Sequence, residues 1–197
     1  MVCEKSDGDR RMMYITKSRV VMIDRKFALR VPVNSAEVAA AVGVGDEEPI
    51  LLDGELLQDR ARNCIFMVFD IVACGKLGNA AGSMPLDKRI CMMDELVVKK
   101  VTTARGAASP PPAMAIMLKE YLGAKDVGVV LDRIKQVEHK RWYSSPAAGR
   151  QPNLNDGVVF TPVNSTYFDL FTGKQGATAP LLKWKFLDEQ TVDFLVR

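Results

Sequence analysis

Histidine is nearly missing from this chain: His139 is the only one among 197 residues. A His–Asp proton relay or a multi-histidine metal centre therefore has little to build on. The four cysteines, Cys3, Cys64, Cys74 and Cys91, contain no C-x-x-C pair, which removes the spacing of zinc ribbons and dithiol redox sites. Cys64 and Cys74 lie in or beside an apolar run, so buried, reduced thiols are expected rather than disulfides. No apolar stretch reaches the roughly 18 residues of a membrane-spanning helix. Residues 1–11 are charged where a secretory signal needs an apolar segment. No membrane partner is expected, and an intracellular location is. A strong excess of one charge is lacking too: 27 Lys and Arg stand against 24 Asp and Glu, a net +3. Such a balance tolerates a polyanionic partner without demanding one. What is present, 48% hydrophobic and 26% charged residues, suits a globular protein with one sizeable core.

Local patterns then give the elements. Arg11–Ile15 and Val20–Ile23 are rich in strand formers and read as a β-hairpin, with Phe27–Val31 following the polar Asp24-Arg25-Lys26 turn. Ser35 is expected to cap a short Ala-rich helix ended by Gly43. Two core strands follow, Pro49–Leu57 and Cys64–Ala73. Leu86, Ile90, Met93, Leu96 and Val97 recur at helical spacing, which predicts an amphipathic helix over 86–100. Residues 104–113, with Ser109-Pro110-Pro111-Pro112 inside, predict a flexible surface loop. A second short helix is expected to hold Met114, Met117, Leu118, Tyr121 and Leu122. Ser144–Asn155 reads as a loop, and strands at Gly157–Pro162, Leu181–Phe186 and Thr191–Val196 close the chain. Strands at both ends and a helix between them predict an α+β fold with antiparallel sheets, not alternating βαβ units.

Five short motifs carry chemistry. Lys5-Ser6-Asp7-Gly8-Asp9-Arg10 reads K-x-D-G-x-R: an amine beside a tight acidic-glycine turn, with an arginine able to hold ribose or phosphate. The arrangement suits a lysine that attacks a nucleotide α-phosphate. A free lysine titrates at about 10.4, so such work needs neighbouring cations that favour the neutral amine. Lys183-Trp184-Lys185 supplies two. At i and i+2 on a strand both lysines point to one face while Trp184 packs on the other, and paired cations can clamp a phosphate as pyrophosphate leaves. In Asp53-Gly54-Glu55 the glycine allows close backbone approach, and Glu55 can accept from a ribose hydroxyl. Asp156-Gly157 repeats the device, with Asp156 a hard oxygen ligand for Mg²⁺ or Mn²⁺. Alternation in Phe66-Met67-Val68-Phe69-Asp70 puts Phe66, Val68 and Asp70 on one face and Met67 and Phe69 on the other, leaving one ring to stack on a purine. Each motif alone has a plainer reading: a solvated hairpin lysine, an edge strand guarded by lysines, simple Asp-Gly turns, aromatic core. Their joint order argues for a site.

In that order the motifs resemble those of the covalent nucleotidyltransferase superfamily, shared by mRNA capping enzymes and polynucleotide ligases. Three stretches are most similar to the guanylyltransferase of capping enzymes. These are Lys5–Met13 with its Met-Met ending, Asp156-Gly157-Val158-Val159-Phe160-Thr161-Pro162 with Asp where ligases usually carry Glu, and Leu181-Leu182-Lys183-Trp184-Lys185 followed by Thr191-Val192-Asp193-Phe194. The resemblance covers residues 4–197 and implies one nucleotidyltransferase domain, with antiparallel sheets flanking a nucleotide cleft. It implies transfer of GMP from GTP, through a lysyl-N–GMP on Lys5, to a 5′-diphosphate RNA end to form the cap. Carried onto this chain, it implies Arg10, Arg25 and Glu55 at the ribose and Phe69 stacked on guanine, with Asp70 in support. Lys140, in His139-Lys140-Arg141-Trp142-Tyr143, would read the six-position of guanine. Asp156 would bind the metal, Lys183 and Lys185 the α-phosphate, and Asp193 would act near the β- and γ-phosphates.

The same resemblance implies a divalent metal (Mg²⁺ or Mn²⁺), GTP and RNA as substrates, the RNA polymerase II tail as a partner, and a nuclear location. The family continues into an OB-fold domain beyond its last motif, and no R-x-D-K-like segment occurs here; the sequence is expected to be a fragment of a longer protein. Two rivals share the motifs: an ATP-dependent polynucleotide ligase, and a non-catalytic module that binds nucleotide or RNA.

Overall fold

A computed structural model describes residues 1–106, 113–146, 151–171 and 181–190. Most of the loop expected at 104–113 and the whole closing strand Thr191–Val196, with Asp193, lie outside the described residues. The chain opens with four strands, β1 (Val2–Ser6), β2 (Asp9–Ile15), β3 (Val20–Ile23) and β4 (Leu29–Arg30), and a helix α1 (Ser35–Val42). The long strands β5 (Ile50–Gln58) and β6 (Cys64–Cys74) come next. Helices α2 (Leu86–Met93) and α3 (Lys99–Arg105) follow, joined by a π-helical turn at Asp94–Val98. After β7 (Ala115–Leu118) and α4 (Val127–Asp132) stand β8 (Ile134–Val137), β9 (Lys140–Tyr143), β10 (Asn153–Phe160), α5 (Tyr167–Phe171) and β11 (Leu182–Lys185).

The strands form two sheets. The larger has the order β4-β3-β2-β5-β6-β7; the smaller runs β1-β10-β9-β8, with β11 also paired to β10. Pairing is antiparallel, as expected, except between β6 and β7, which run parallel. That pair needs a crossover, and α2–α3 provide it: one βαβ unit inside an otherwise α+β fold. The near-continuous apolar run of β6 reflects burial on both of its faces: Phe66 and Val68 pack under the helices, and Ile65 and Met67 form a separate cluster with Leu57.

Each sheet is covered by helices on one face. Met13, Ile15, Leu52, Phe66, Val68 and Ile71 of the large sheet pack on Val38, Val42, Met93 and Val97, each such burial stabilising the fold by about 1.5–3 kcal/mol. Val2, Tyr143 and Val158 of the small sheet pack with Val130 of α4. The opposite faces look into a cleft between the sheets. No helix among the described residues is long and apolar enough to cross a membrane.

Several local expectations change. Ser35 does not cap α1 but is its first residue; its Oγ accepts from the Val20 N–H at 2.6 Å and donates to the Val20 carbonyl at 3.0 Å, tying helix to strand. Gly43 ends the helix in the left-handed region, as expected. The helix expected over 114–122 is strand β7, because Met114, Ile116 and Leu118 satisfy a two-residue period as well and β6 offers an edge to pair with. Asn153–Asn155, read as loop, begin β10. Cys3 and Cys74 are buried and Cys64 half-buried, but Cys91 is exposed; all four are free thiols.

Candidate active site

Three strands bring the motifs together. Lys5 on β1 pairs with Gly157 on β10, and Gly157 pairs with Lys185 on β11, so the two lysines share a row. β10 carries an extra residue here: Lys5 lies opposite Gly157, yet Ser6 lies opposite Asn155. Asp156 therefore sits in a bulge, which turns its side chain to the cleft face that regular alternation would have denied it. Its carboxylate accepts from Lys5 Nζ at 2.7 and 2.8 Å and from Lys185 Nζ at 2.9 Å. Asn155 closes the bulge: Nδ2 donates to the carbonyls of Lys5 and Gly157, both at 2.9 Å, and Oδ1 accepts from the Gly157 N–H at 3.0 Å. Only glycine fits beside it. The φ of Gly157 is +148°, and a Cβ would stand 1.9 Å from the Trp184 carbonyl oxygen.

The large sheet forms the opposite wall. Arg10 on β2 lies in register with Glu55 on β5, and both line the cleft. Buried Asp53 aims the arginine, with Nε to Oδ1 at 3.0 Å and Nη2 to Oδ2 at 2.5 Å, and Tyr167 donates to the same carboxylate at 3.0 Å. A second bulge lies in β6, where Asp53 is opposite Asp70 but Gly54 is opposite Val68. Strict alternation over Phe66–Asp70 therefore fails. Phe66 and Val68 enter the core beneath the helices, while Phe69 and Asp70 both line the cleft. Fully buried Arg89 of α2 grips Asp70, Nε to Oδ1 at 2.6 Å and Nη2 to Oδ2 at 3.0 Å, and donates to the Met84 and Ser165 carbonyls. Burial nonetheless raises the Asp70 pKa, against the pull of the arginine.

Cations crowd the mouth. Lys183 lines the cleft, and its pKa is lowered first by desolvation and then by the positive charges of Lys5, Arg10 and Arg25. Arg25 arrives on a turn that Asp24 fastens by accepting from the N–H groups of Lys26 and Ala28, both at 2.8 Å. Burial raises the Glu55 pKa, with Lys119 and Lys5 drawing it back.

Lys119, just past β7, escaped the sequence reading. It is 4% exposed and lines the cleft, with Nζ 3.9 Å from Glu4, 4.0 Å from Glu55 and 5.8 Å from the centre of the Phe69 ring. Its signal was a lysine straight after an alternating apolar run, hidden by the helical reading of that run. Lys140 is the reverse case. It is exposed on β9 opposite Val137 and is not among the residues that line the cleft. The reason is register: β9 meets β10 only at Asn153 and Leu154, ahead of the Asp156 bulge. Trp184 is not packed away either; it is 45% exposed, its ring edge-on to Phe186 at 4.8 Å. Lys5, Arg10, Arg25, Glu55, Phe69, Asp70, Asp156, Lys183 and Lys185 are thus brought together, and Lys140 is not.

No group of three or more Asp, Glu, Cys or His side chains among the described residues forms a metal cage. Asp156 still offers a hard oxygen donor beside the cleft. That fits Mg²⁺, which takes one or two carboxylates and completes its shell with phosphate oxygens and water.

With this geometry in hand, the chain can be set beside known proteins. Residues 1–187 match the family model described as mRNA capping enzyme, catalytic domain. The mRNA-capping enzyme subunit alpha of Yarrowia lipolytica is 30% identical over 211 residues, covering 99% of this chain and 47% of the relative. Its counterpart in Schizosaccharomyces pombe is 27% identical, covering 100% and 48%. The chain spans about half the length of these relatives. Among solved structures, the ligase domain of M. tuberculosis LigD superposes with a TM-score of 0.54 at 15% identity, covering 84% of this chain and 48% of that one. A mycobacterial DNA ligase D complexed with ATP and MES gives 0.52 at 15% identity, covering 84% and 49%. At such identity the ligases share the fold alone.

Proposed function

The chain belongs to the family of mRNA capping enzyme catalytic domains, and on that premise we propose that it transfers GMP from GTP to the 5′-diphosphate end of RNA through a lysyl-N–GMP on Lys5. One observation carries the reading: Lys5, which lines the cleft, is ion-paired to Asp156, which also holds Lys185, and the other wall of that cleft holds Arg10, Glu55 and Phe69. In the first step the Lys5 ammonium gives a proton to the Asp156 carboxylate that it contacts, and the neutral Nζ attacks the α-phosphorus. The N–P bond forms with loss of a second N–H proton to water, the bond to the β-phosphate oxygen breaks, and pyrophosphate leaves with the electron pair. Asp156 holds the amine toward the cleft, and Lys183 and Lys185 offset the charge that builds on the phosphate. In the second step a β-phosphate oxygen of the RNA attacks the same phosphorus, the bridging nitrogen takes back a proton, and Lys5 departs as the amine with the N–P electrons. A bound Mg²⁺ or Mn²⁺ would draw on Asp156 and neutralise phosphate charge.

For the nucleoside, Phe69 offers a stacking face and Arg10, Arg25 and Glu55 the ribose contacts. Lys119, rather than Lys140, supplies the donor for the guanine carbonyl. Adenine would place an amino group against that donor, at a cost of about 1–3 kcal/mol for buried groups left unpaired. Asp193 keeps its role at the β- and γ-phosphates on the resemblance alone, as do the polymerase tail as partner and the nucleus as location.

The test is incubation with GTP or ATP and a divalent metal, followed by intact mass. A GMP adduct is expected, and none with Lys5→Arg, whose guanidinium stays protonated with a pKa above about 12. An AMP adduct would move the chain to the ligase reading. No adduct with either nucleotide would overturn both.

A further inference from the structure

The segment His139–Tyr143 has no place in the nucleotide cleft, yet the sheet register gives it one beside it. Lys135, Trp142 and Leu154 form one row across β8, β9 and β10; Ile134, Tyr143 and Asn153 form the next. Tyr143 and Asn153 are buried, Tyr143 in the core under α4. The Trp142 row therefore faces the other way, the side from which Lys5 and Asp156 project. Leu154 precedes Asp156 by two residues, about 7 Å along the strand. Lys140, two positions from Trp142, shares its face. Above the half-buried indole lies Arg60, its guanidinium 5.8 Å from the ring centre and its backbone N–H bonded to the Pro152 carbonyl at 2.8 Å. Arg60, Lys135 and Lys140 are exposed, as are two carboxylates in the same region, Asp7 and Glu138.

We propose that this face is the binding track for the single-stranded 5′ segment of the acceptor RNA, with Trp142 as a base-stacking platform and Arg60, Lys135 and Lys140 contacting phosphates. The proposal rests on the guanylyltransferase reading, since it is that reaction which brings an RNA end to Lys5. An aromatic ring among cations suits a flexible, unpaired strand of any sequence: every base has a face to stack, and every nucleotide a phosphate. The face is continuous with the lysine row, so RNA lying on it presents its terminal phosphates to the Lys5 adduct.

The test uses a short 5′-diphosphate single-stranded RNA, a blunt duplex of the same sequence, and the Arg60→Ala/Lys135→Ala double variant. In fluorescence anisotropy the double variant is expected to bind the single strand about 10-fold more weakly, with the slope of log K against log salt reduced by about 1.4, the share of two single-strand phosphate contacts. The rate of GMP adduct formation is expected to stay at the wild-type value. In a Trp184→Phe chain, RNA should quench the remaining Trp142 emission, a check that needs no substitution in the track. Unchanged RNA affinity and salt slope, equal binding of the duplex, or no RNA binding by the wild-type chain would each overturn the proposal. So would a double variant that loses only a phosphoserine-rich peptide, which would assign the face to a protein partner. Loss of RNA binding in the variant of a chain that forms no GMP adduct would support the track while removing the guanylyltransferase reading.

Discussion

Asp156 is the residue on which its neighbours turn, because one carboxylate receives two lysines from strands on either side of its own. Lys183 and Lys185 are therefore expected to serve the chemistry more than the fold. Each single change to Ala should slow adduct formation by about 10²-fold or more, the scale of losing one preorganised charge donor, in quench-flow labelling with GTP. For Lys183→Ala the melting temperature should hold or rise. A lysine whose pKa is lowered on folding carries a penalty while charged, and alanine removes it. Trp184→Ala should cost only about 1 kcal/mol in chemical denaturation, below the 3–5 typical of a buried tryptophan, because its ring is 45% exposed.

Glu55 gives the matching prediction in pH. Burial raises its folded pKa above the unfolded value, so the ionised group weakens the fold above that pKa and stops doing so as pH falls through it. Glu55→Gln should thus melt higher than wild type at neutral pH, with the difference closing in acid, while GTP affinity falls at neutral pH. Equal melting temperatures across the range would remove desolvation as the dominant influence on this carboxylate.

At the scale of elements, the bulges at Phe69 and Asp156 decide which of their neighbouring side chains face the cleft. Gly157→Ala should force β11 off β10, since a Cβ at 1.9 Å from a backbone oxygen has no rotamer in which to escape. A loss of about 1–3 kcal/mol, as for other overpacked sites, should accompany loss of adduct formation, read by thermal melting and GTP labelling together. These bulges also mark the limit of sequence reading. Strands β2, β3, β5 and β6 and helix α1 were legible because each carries its own local pattern. Lys5, Asp156 and the Lys183–Lys185 pair were legible as motifs. Alternation, however, counts residues in twos, and an inserted residue is visible only when the partner strand is known. Alternation alone therefore puts Asp70 on the face of Phe66 and Val68 and does not reveal the bulge that turns Asp156. The run 114–118 fits both periods, and only the waiting edge of β6 decides for strand. The helical reading of that run hid Lys119, which lines the cleft where Lys140 does not. Asp53, Tyr167 and Arg89, which orient Arg10 and Asp70 from behind, come from three distant segments and no local pattern joins them.

At the scale of the whole molecule, two helix-covered sheets enclose a cleft lined by both charged and apolar side chains, and a nucleotide would bridge both walls. GTP at about 100 times its dissociation constant should therefore stabilise the fold by about 2.7 kcal/mol, raising the melting temperature by roughly 5–10 °C. ATP at the same concentration should do less, and differential scanning fluorimetry compares the two directly. No rise with GTP would mean that the cleft does not hold the nucleotide. The pairing of β1 with β10 has a further consequence for the order of folding. Lys5 and Asp156 are 151 positions apart, and such remote contacts form late because the intervening loop must close first. During synthesis the lysine emerges long before Asp156 and Lys185. On the proposed chemistry, a nascent or truncated chain that lacks Asp156 carries an amine with no carboxylate to orient it and should form no adduct with GTP. On that reading, competence should arise in one step, when β10 and β11 dock beside β1.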